Sequence, residues 1–169
     1  MDPTGAAGCG YVIVRGSSNA ALVQGKGRFG PVEVIDTEII GALQGLRAAK
    51  RLSRSTPIEK VFVCLDNTAA LTGITGSGLD TSQQQCLDFR SSQRNWRCVS
   101  AKWSPGHSDI LGNELADKLV NEEGTSLPEL TGQQGPSLAS IRRNTRSKQH
   151  ESLLSWWEEA APEDTKGLH

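Results

Sequence analysis

The stretch Val61–Leu65 is an uninterrupted apolar run that ends at Asp66. A run of this length and composition is typical of a strand that is buried on both faces within a parallel sheet. An acidic residue at the carboxyl end of such a strand lies where open α/β sheets place their ligand sites. Asp66 has a second interpretation, as the N-cap of a following helix. The run therefore predicts a parallel α/β core, with Asp66 as either a site residue or a cap.

Strand and helix patterns alternate around this run, from residue 10 to residue 122. The predicted elements are a hairpin over 10–27, a helix over 36–52, the apolar strand, a helix after Asp66, a helix over 81–94, a strand over 98–103 and a helix from about 112. Ile39, Leu43 and Leu46 form the apolar stripe of the first helix. Residues 1–9 are small and rich in glycine and predict a turn, whereas 32–35 either extend the hairpin or lead into the helix. The order predicts an α/β sandwich with a mixed sheet and flanking helices.

The segment 102–117, KWSPGHSDILGNELAD, joins a strand to a helix through a polar loop. The loop carries His107, and the helix places Asn113, Glu114 and Asp117 on one edge because they are three or four residues apart. A carboxylate that lies near helix N-terminal amides and faces an imidazole is a plausible metal ligand. The ordinary alternative is that the acidic residues compensate the helix N-terminus and the histidine is solvated.

Three arginines, Arg90, Arg94 and Arg97, recur at near-helical spacing with Trp96 among them. This pattern predicts either a ridge that follows phosphates or a solvated charged face. The formal net charge of the chain is −1, so any contact with nucleic acid must rest on such local patches. No glycine-rich phosphate loop follows a strand and no nucleophile motif is present, which disfavours a small-molecule α/β enzyme.

The 169 residues suffice for one well-buried domain with an appendage. We place an α/β domain at 1–124, a linker rich in Gly, Pro, Ser and Gln at 125–136, and a helical tail at 137–169. The tail combines apolar residues (Leu138, Ile141, Leu153, Trp156, Trp157) with basic ones (Arg142, Arg143, Arg146, Lys148). Its helix either packs on the core through the tryptophans or presents a basic face to a partner.

The four cysteines, Cys9, Cys64, Cys86 and Cys98, form no CxxC pair. They predict reduced, mostly buried thiols of an intracellular protein, without a zinc site. No apolar run approaches membrane-spanning length, and the N-terminus lacks the regions of a signal peptide. We therefore expect no membrane association and an intracellular location, cytoplasmic or nuclear.

Glu38 early on a helix, Asp66 at the end of a strand, and the segment PGHSDILGNELAD together resemble the type 1 ribonuclease H family. The resemblance covers roughly residues 8 to 122 and is nearest in style to the ribonuclease H domain of non-LTR retrotransposon polyproteins. It implies an endonuclease in which four acidic side chains hold two Mg²⁺ ions, or Mn²⁺ ions, to cut the RNA strand of an RNA–DNA hybrid. An upstream reverse transcriptase region of a longer polyprotein is a further implied partner.

Carried over by motif, Glu38, Asp66 and Asp117 are the implied metal ligands and catalytic residues. The implied role of His107 is to assist product release or proton transfer, and Asn113 and Glu114 support the site. Two hard cations held by clustered carboxylates would activate a water and neutralise the phosphate. The strand choice would come from the 2′-OH that distinguishes RNA from DNA.

The sequence departs from the family pattern at its beginning. Family members open with a central strand that contains Asp-Gly-Ser and supplies the first metal-binding Asp, whereas Asp2 lies in a predicted turn and is not assigned that role. We therefore expect a sheet without its middle strand and a chain that is inactive or strongly impaired. The alternative function is a catalytically dead, nucleic-acid-binding remnant that uses Arg90, Arg94, Arg97 and the basic tail.

Overall fold

The computed structural model describes residues 6–16, 18, 20–76, 82–96, 98–106, 108–121 and 138–159. Strands and helices alternate in the order predicted for an α/β protein. The elements are β1 (Ala6–Val14), β2 (Ala21–Pro31), α1 (Val34–Leu52), β3 (Val61–Leu65), α2 (Thr68–Thr75), α3 (Gln83–Arg94), β4 (Val99–Trp103), α4 (Leu111–Asn121) and α5 (Leu138–Glu159).

Strands β1 and β2 form an antiparallel hairpin that is longer at both ends than predicted. The expected turn over residues 1–9 is wrong for residues 6–9, which belong to β1 and pair with β2. Small side chains carry no hydrophobic alternation, so the pattern missed them, yet backbone pairing does not need large side chains. Their smallness also lets helices approach β1 closely.

Two helices pack on β1 from opposite sides, because alternate residues of a strand face opposite ways. On one side, a Cβ atom at Gly41 of α1 would lie 3.5 Å from Cβ of Cys9. On the other side, a Cβ atom at Gly8 or Gly10 would lie 2.9 Å from Cγ1 of Val120 or 2.6 Å from the carbonyl oxygen of Ala116, both in α4. The hairpin is therefore held between α1 and α4.

Helix α1 begins at Val34, so residues 32–35 lead into the helix instead of extending the hairpin. The fully buried Asp36 carboxylate accepts a hydrogen bond from the Glu33 amide at 3.2 Å, which is the return bond of a capping box. The predicted stripe of Ile39, Leu43 and Leu46 is confirmed, since all three are buried.

Strands β3 and β4 pair in parallel and supply one face to the main apolar core. That core contains residues Ile39, Leu43, Leu46, Leu65, Ala70, Ile74, Cys86, Phe89 and Val99. The expectation that β3 is buried on both faces is wrong: Phe62 is 48% exposed and Cys64 is exposed as well. The reason is that α1 and α2, the described helices that contact β3, contribute to the core on its opposite face.

The described strands form two two-stranded sheets, β1–β2 antiparallel and β3–β4 parallel, so both pairing directions of the predicted mixed sheet are present. Helix α1 contacts β1, β2 and β3, so it is shared by both sheets. Within the described ranges, β1 pairs with β2 alone and β3 with β4 alone. Among the described strands, β1 to β4 each therefore have one edge that pairs with no other described strand.

The predicted tail helix is present as α5, and the predicted linker 125–136 lies outside the described residues. Its apolar side chains do not enter the core: Ile141, Leu153 and Trp156 are all 45% exposed or more. Nη2 of Arg143 contacts Oε1 of Glu33 at 3.0 Å, which links α5 to the start of α1. Of the four thiols, Cys9 and Cys86 are buried, Cys98 is half-buried and Cys64 is exposed, so the expectation of mostly buried thiols holds for two of them. Among the described helices, none combines the length and apolar character that crossing a bilayer requires.

Candidate active site

Asp66 lies directly after β3, where the backbone is fixed by the neighbouring strand. The Leu65 carbonyl accepts a hydrogen bond from the Ser104 amide at 2.8 Å, and the Asp66 carbonyl accepts one from Nε1 of Trp103 at 3.0 Å. The cap of α2 is Asn67, whose Oδ1 accepts from the amides of residues 69 and 70 at 3.0 Å each. The capping role left open for Asp66 therefore belongs to its neighbour.

Glu38 lies in the second turn of α1, the helix that both sheets share, and its side chain is half-buried. Burial, together with the smaller effects of the charges of Asp66 and Asp117, raises the pKa of Glu38 from 4.5 to about 7. The carboxylates of Asp66, at the end of β3, and Asp117, on α4, are thus each close enough to act on Glu38 of α1. Like charges are not gathered in this way by packing alone, which marks the place as a candidate site.

The buried thiol of Cys9 supports this placement of Glu38. The pKa of Cys9 is raised to about 11, mainly by burial; a hydrogen bond with the Gly27 backbone lowers it, and the charge of Glu38 raises it. The carboxylate of Glu38 therefore acts on β1 as well as on Asp66 and Asp117.

Helix α4 brings Asp117 and Asn113 to the same place. Both side chains are half-buried, and Nδ2 of Asn113 lies 3.4 Å from Oδ2 of Asp66, a long hydrogen bond. Because Gly10 has no side chain, α4 packs close to β1. The Asp117 carboxylate on α4 is then near enough for its charge to act on Glu38. Glu114, the acidic residue in the first turn of α4, is also half-buried.

Gly106 is a site residue that the sequence pattern did not single out. A Cβ atom on Gly106 would lie 2.8 Å from Oδ2 of Asp66, so only glycine lets the loop after β4 approach this carboxylate. Trp103 was also missed, and its indole bonds the Asp66 backbone. Both residues lie in the WSPG segment, at the point where β4 ends and the following loop begins. This position is the sequence feature that could have identified them.

The donor set is chemically suited to a hard divalent cation, since Mg²⁺ prefers carboxylate and carbonyl oxygens. The candidate ligands are Glu38, Asp66 and Asp117, with the Asn113 amide beside them. As placed, no three acidic, histidine or cysteine side chains of the described residues are close enough to share one ion. His107 lies outside the described residues.

The arginines of the predicted ridge do not act alike. Arg90 donates from Nη2 to the Gly73 carbonyl and from Nε to the Ile74 carbonyl, the latter at 3.3 Å, so its guanidinium binds the carboxyl end of α2. Arg94 is exposed in the last turn of α3, and Arg97 lies outside the described residues. Of the predicted nucleic-acid contacts, Asn113 is the one that the structure brings to the carboxylates.

Two solved structures share this fold. The N-terminal RNase H domain of a Mycobacterium tuberculosis protein, studied as a fusion with maltose-binding protein, superposes with a TM-score of 0.56 at 18% identity, covering 69% of this chain and 87% of that one. RNase H1 from the halophilic archaeon Halobacterium salinarum gives a TM-score of 0.56 at 18% identity, covering 69% and 92%. No family model and no curated protein matches the sequence. The fold is therefore ribonuclease H-like.

Proposed function

We propose that this protein is a ribonuclease H-type module whose site holds Mg²⁺ and is directed at the RNA strand of RNA–DNA hybrids. The observation that carries the proposal is the approach of Glu38, Asp66 and Asp117 to one another from three separate elements, on a fold shared with RNase H domains. The resemblance of the motifs to non-LTR retrotransposon domains suggests that the chain acts beside a reverse transcriptase region.

In this proposal each residue has a defined task. Asp66 and Asp117 bind the cation through carboxylate oxygens, and Glu38 joins them once it is ionised. Asn113 orients the Asp66 carboxylate through its amide, and His107 moves a proton or assists product release. When bound, Mg²⁺ supplies an activated water and neutralises charge on the scissile phosphate.

We further propose that an active sheet contains one more strand, between β1 and β3. Both strands have an unpaired edge, and both sheets are carried by α1. An exposed edge is a template for pairing with another segment. A strand there would supply the missing carboxylate beside Glu38, and without it we expect weak ion binding and little or no cleavage.

Cleavage of a labelled hybrid by matched proteins tests this proposal. We expect the chain alone to cut little in Mg²⁺. We expect cleavage of the RNA strand when the chain is extended at its N-terminus by a strand that forms a hairpin with β1 and carries an Asp next to Glu38. The same strand with Asn is the control, and Asp66→Asn in the extended chain should abolish cleavage. Robust cleavage by the chain alone, lost in Asp66→Asn, would contradict the expected impairment, whereas inactivity of the extended chain would contradict the nuclease assignment.

A second candidate function is nucleic-acid binding without cleavage. It is favoured by the exposed basic side chains of α5, Arg142, Arg143, Arg146 and Lys148. Steep loss of hybrid binding with salt, combined with no turnover in the strand-extended protein, would support this function over the first.

A further inference from the structure

The face of β3 and β4 that points away from the core is uncovered in the described structure. Phe62 and Cys64 are two residues apart in β3, so both lie on this face. In the parallel register they pair with Ser100 and Lys102 of β4. Parallel sheets are ordinarily covered on both faces. We call Lys60, Phe62, Cys64, Ser100 and Lys102 the open β3–β4 face. This face is therefore a candidate surface for binding a partner molecule.

Two ammonium groups lie over the large apolar ring on this face. Nζ of Lys102 lies 4.3 Å from the Phe62 ring centroid, and Nζ of Lys60 lies 5.0 Å from it. Both distances are within the range of cation–π attraction. A purely apolar protein surface would have to strip water from these two charges to cover the ring, which is costly. A polyanion that also carries flat rings would satisfy both features.

The open β3–β4 face ends at the candidate active site. Phe62 is four residues before Asp66 on the same strand, about 13 Å along its axis. At that end lies the Trp103 ring, which is 54% exposed and bonds the Asp66 backbone through Nε1. A chain lying on the face can thus continue directly to the carboxylates.

We propose that the open β3–β4 face binds a single strand of nucleic acid next to the active site, with the phosphates drawing Lys60 and Lys102 off the Phe62 ring and a base stacking on the ring in their place. The occupant is a single strand because stacking on a side chain requires an unpaired base, and every base offers a flat face. The overall charge of −1 makes such a local cationic patch necessary. This inference rests on the proposed function and extends it to the unpaired part of a substrate.

Alkylation of Cys64 tests the proposal on the unaltered protein, because this exposed thiol lies on the open face while Cys9 and Cys86 are buried. With EDTA present, oligo(dT) at ten times its Kd should slow maleimide modification of Cys64 roughly tenfold. A blunt hairpin hybrid with the same number of phosphates should protect less. Binding of oligo(dT) without protection of Cys64, equal protection by the hairpin, or no binding at low salt would each overturn the proposal.

Substitutions give an independent readout by fluorescence anisotropy with labelled oligo(dT). Phe62→Leu should weaken binding about tenfold through lost stacking, and Lys60→Gln or Lys102→Gln should each reduce the salt slope by about 0.7. The exposed Lys50 on α1 provides the control Lys50→Gln. Equal affinity of Phe62→Leu, or an equal slope change in Lys50→Gln, would overturn the proposal. Because no cleavage is measured, failure of the nuclease assignment would leave these results unchanged.

Discussion

At the scale of the residue, Glu38 is the side chain whose setting is hardest to explain by stability alone. It is a half-buried carboxyl group near two further carboxylates, and its pKa is raised to about 7. In the folded protein it therefore holds a proton at pH values where the unfolded chain has released it. Linkage makes the folded state more stable where Glu38 is protonated.

We expect the metal-free protein to lose stability as pH rises from 4.5 to about 7, the window between the two pKa values of Glu38. The unfolded state binds fewer protons there, so the free energy of unfolding falls with pH. Melting curves in EDTA should show this slope in the unaltered protein and a reduced slope in Glu38→Gln. Glu59→Gln, at an exposed position, is the control; an unchanged slope in Glu38→Gln would contradict the assignment.

Gly106→Ala tests how closely the loop after β4 must approach Asp66. The added Cβ would meet Oδ2 of Asp66 at 2.8 Å and displace it, so we expect Mg²⁺ affinity of the strand-extended protein to fall about tenfold, an effect typical of altered ligand support. Isothermal titration measures it. The matched control is Gly112→Ala, because a Cβ there has no neighbour within 4 Å. Equal Mg²⁺ affinity in both variants would show that Gly106 has no such role.

Arg90 is expected to support the fold and not to bind a ligand. Arg90→Gln removes two hydrogen bonds to carbonyls at the end of α2, so the free energy of unfolding should fall by about 1–3 kcal/mol. The exposed Arg94, changed to Gln, should leave stability nearly unchanged. Urea unfolding measures the free energy of unfolding of both variants. A large loss of nucleic-acid affinity in Arg90→Gln at unchanged stability would instead support the predicted phosphate-binding role of Arg90.

At the scale of the element, the contact between α4 and β1 determines where Asp117 lies. A Cβ at Gly10 would meet a backbone oxygen, whereas one at Gly8 would meet the end of the Val120 side chain, which is 40% exposed. A side chain can rotate away, but a helix backbone must shift as a whole.

We therefore expect Gly10→Ala to destabilise the protein by about 1–3 kcal/mol, as overpacking does, and Gly8→Ala to cost less. Thermal unfolding of the two variants gives the comparison. Because α4 would be pushed off β1, Gly10→Ala should also lower the pKa of Glu38 by moving Asp117 away. The reverse order of stabilities would mean that α4 does not rest on β1 through these glycines.

The elements show how far the sequence could be interpreted. Helix α1 was predictable because its large apolar side chains repeat with the helical period, and strand β3 because it is a short uninterrupted apolar run. The start of β1 was not, since its small residues carry no period. The role of Gly106 depends on a tertiary approach between two loops, and the open face of β3 depends on what lies above it; neither is encoded in local pattern.

At the scale of the whole molecule, the two sheets are joined by α1 and by few other contacts. The main core draws on α1, α2, α3, β3 and β4, and no residue of the described hairpin belongs to it. The hairpin instead contacts α1 and α4 at the close approaches of Gly8, Gly10 and Gly41. Among the described strands, none joins β1–β2 to β3–β4 in a single sheet.

This division bears on how the protein comes apart. Because the hairpin shares no side chains with the main core, it can detach by partial opening while the rest stays intact. We expect native-state hydrogen exchange in low urea to give β1 amides a smaller opening free energy than β3 amides, and the strand-extended protein to bring the two values together. A single opening free energy for both strands in the unaltered chain would mean that α1 alone already makes the two halves cooperate.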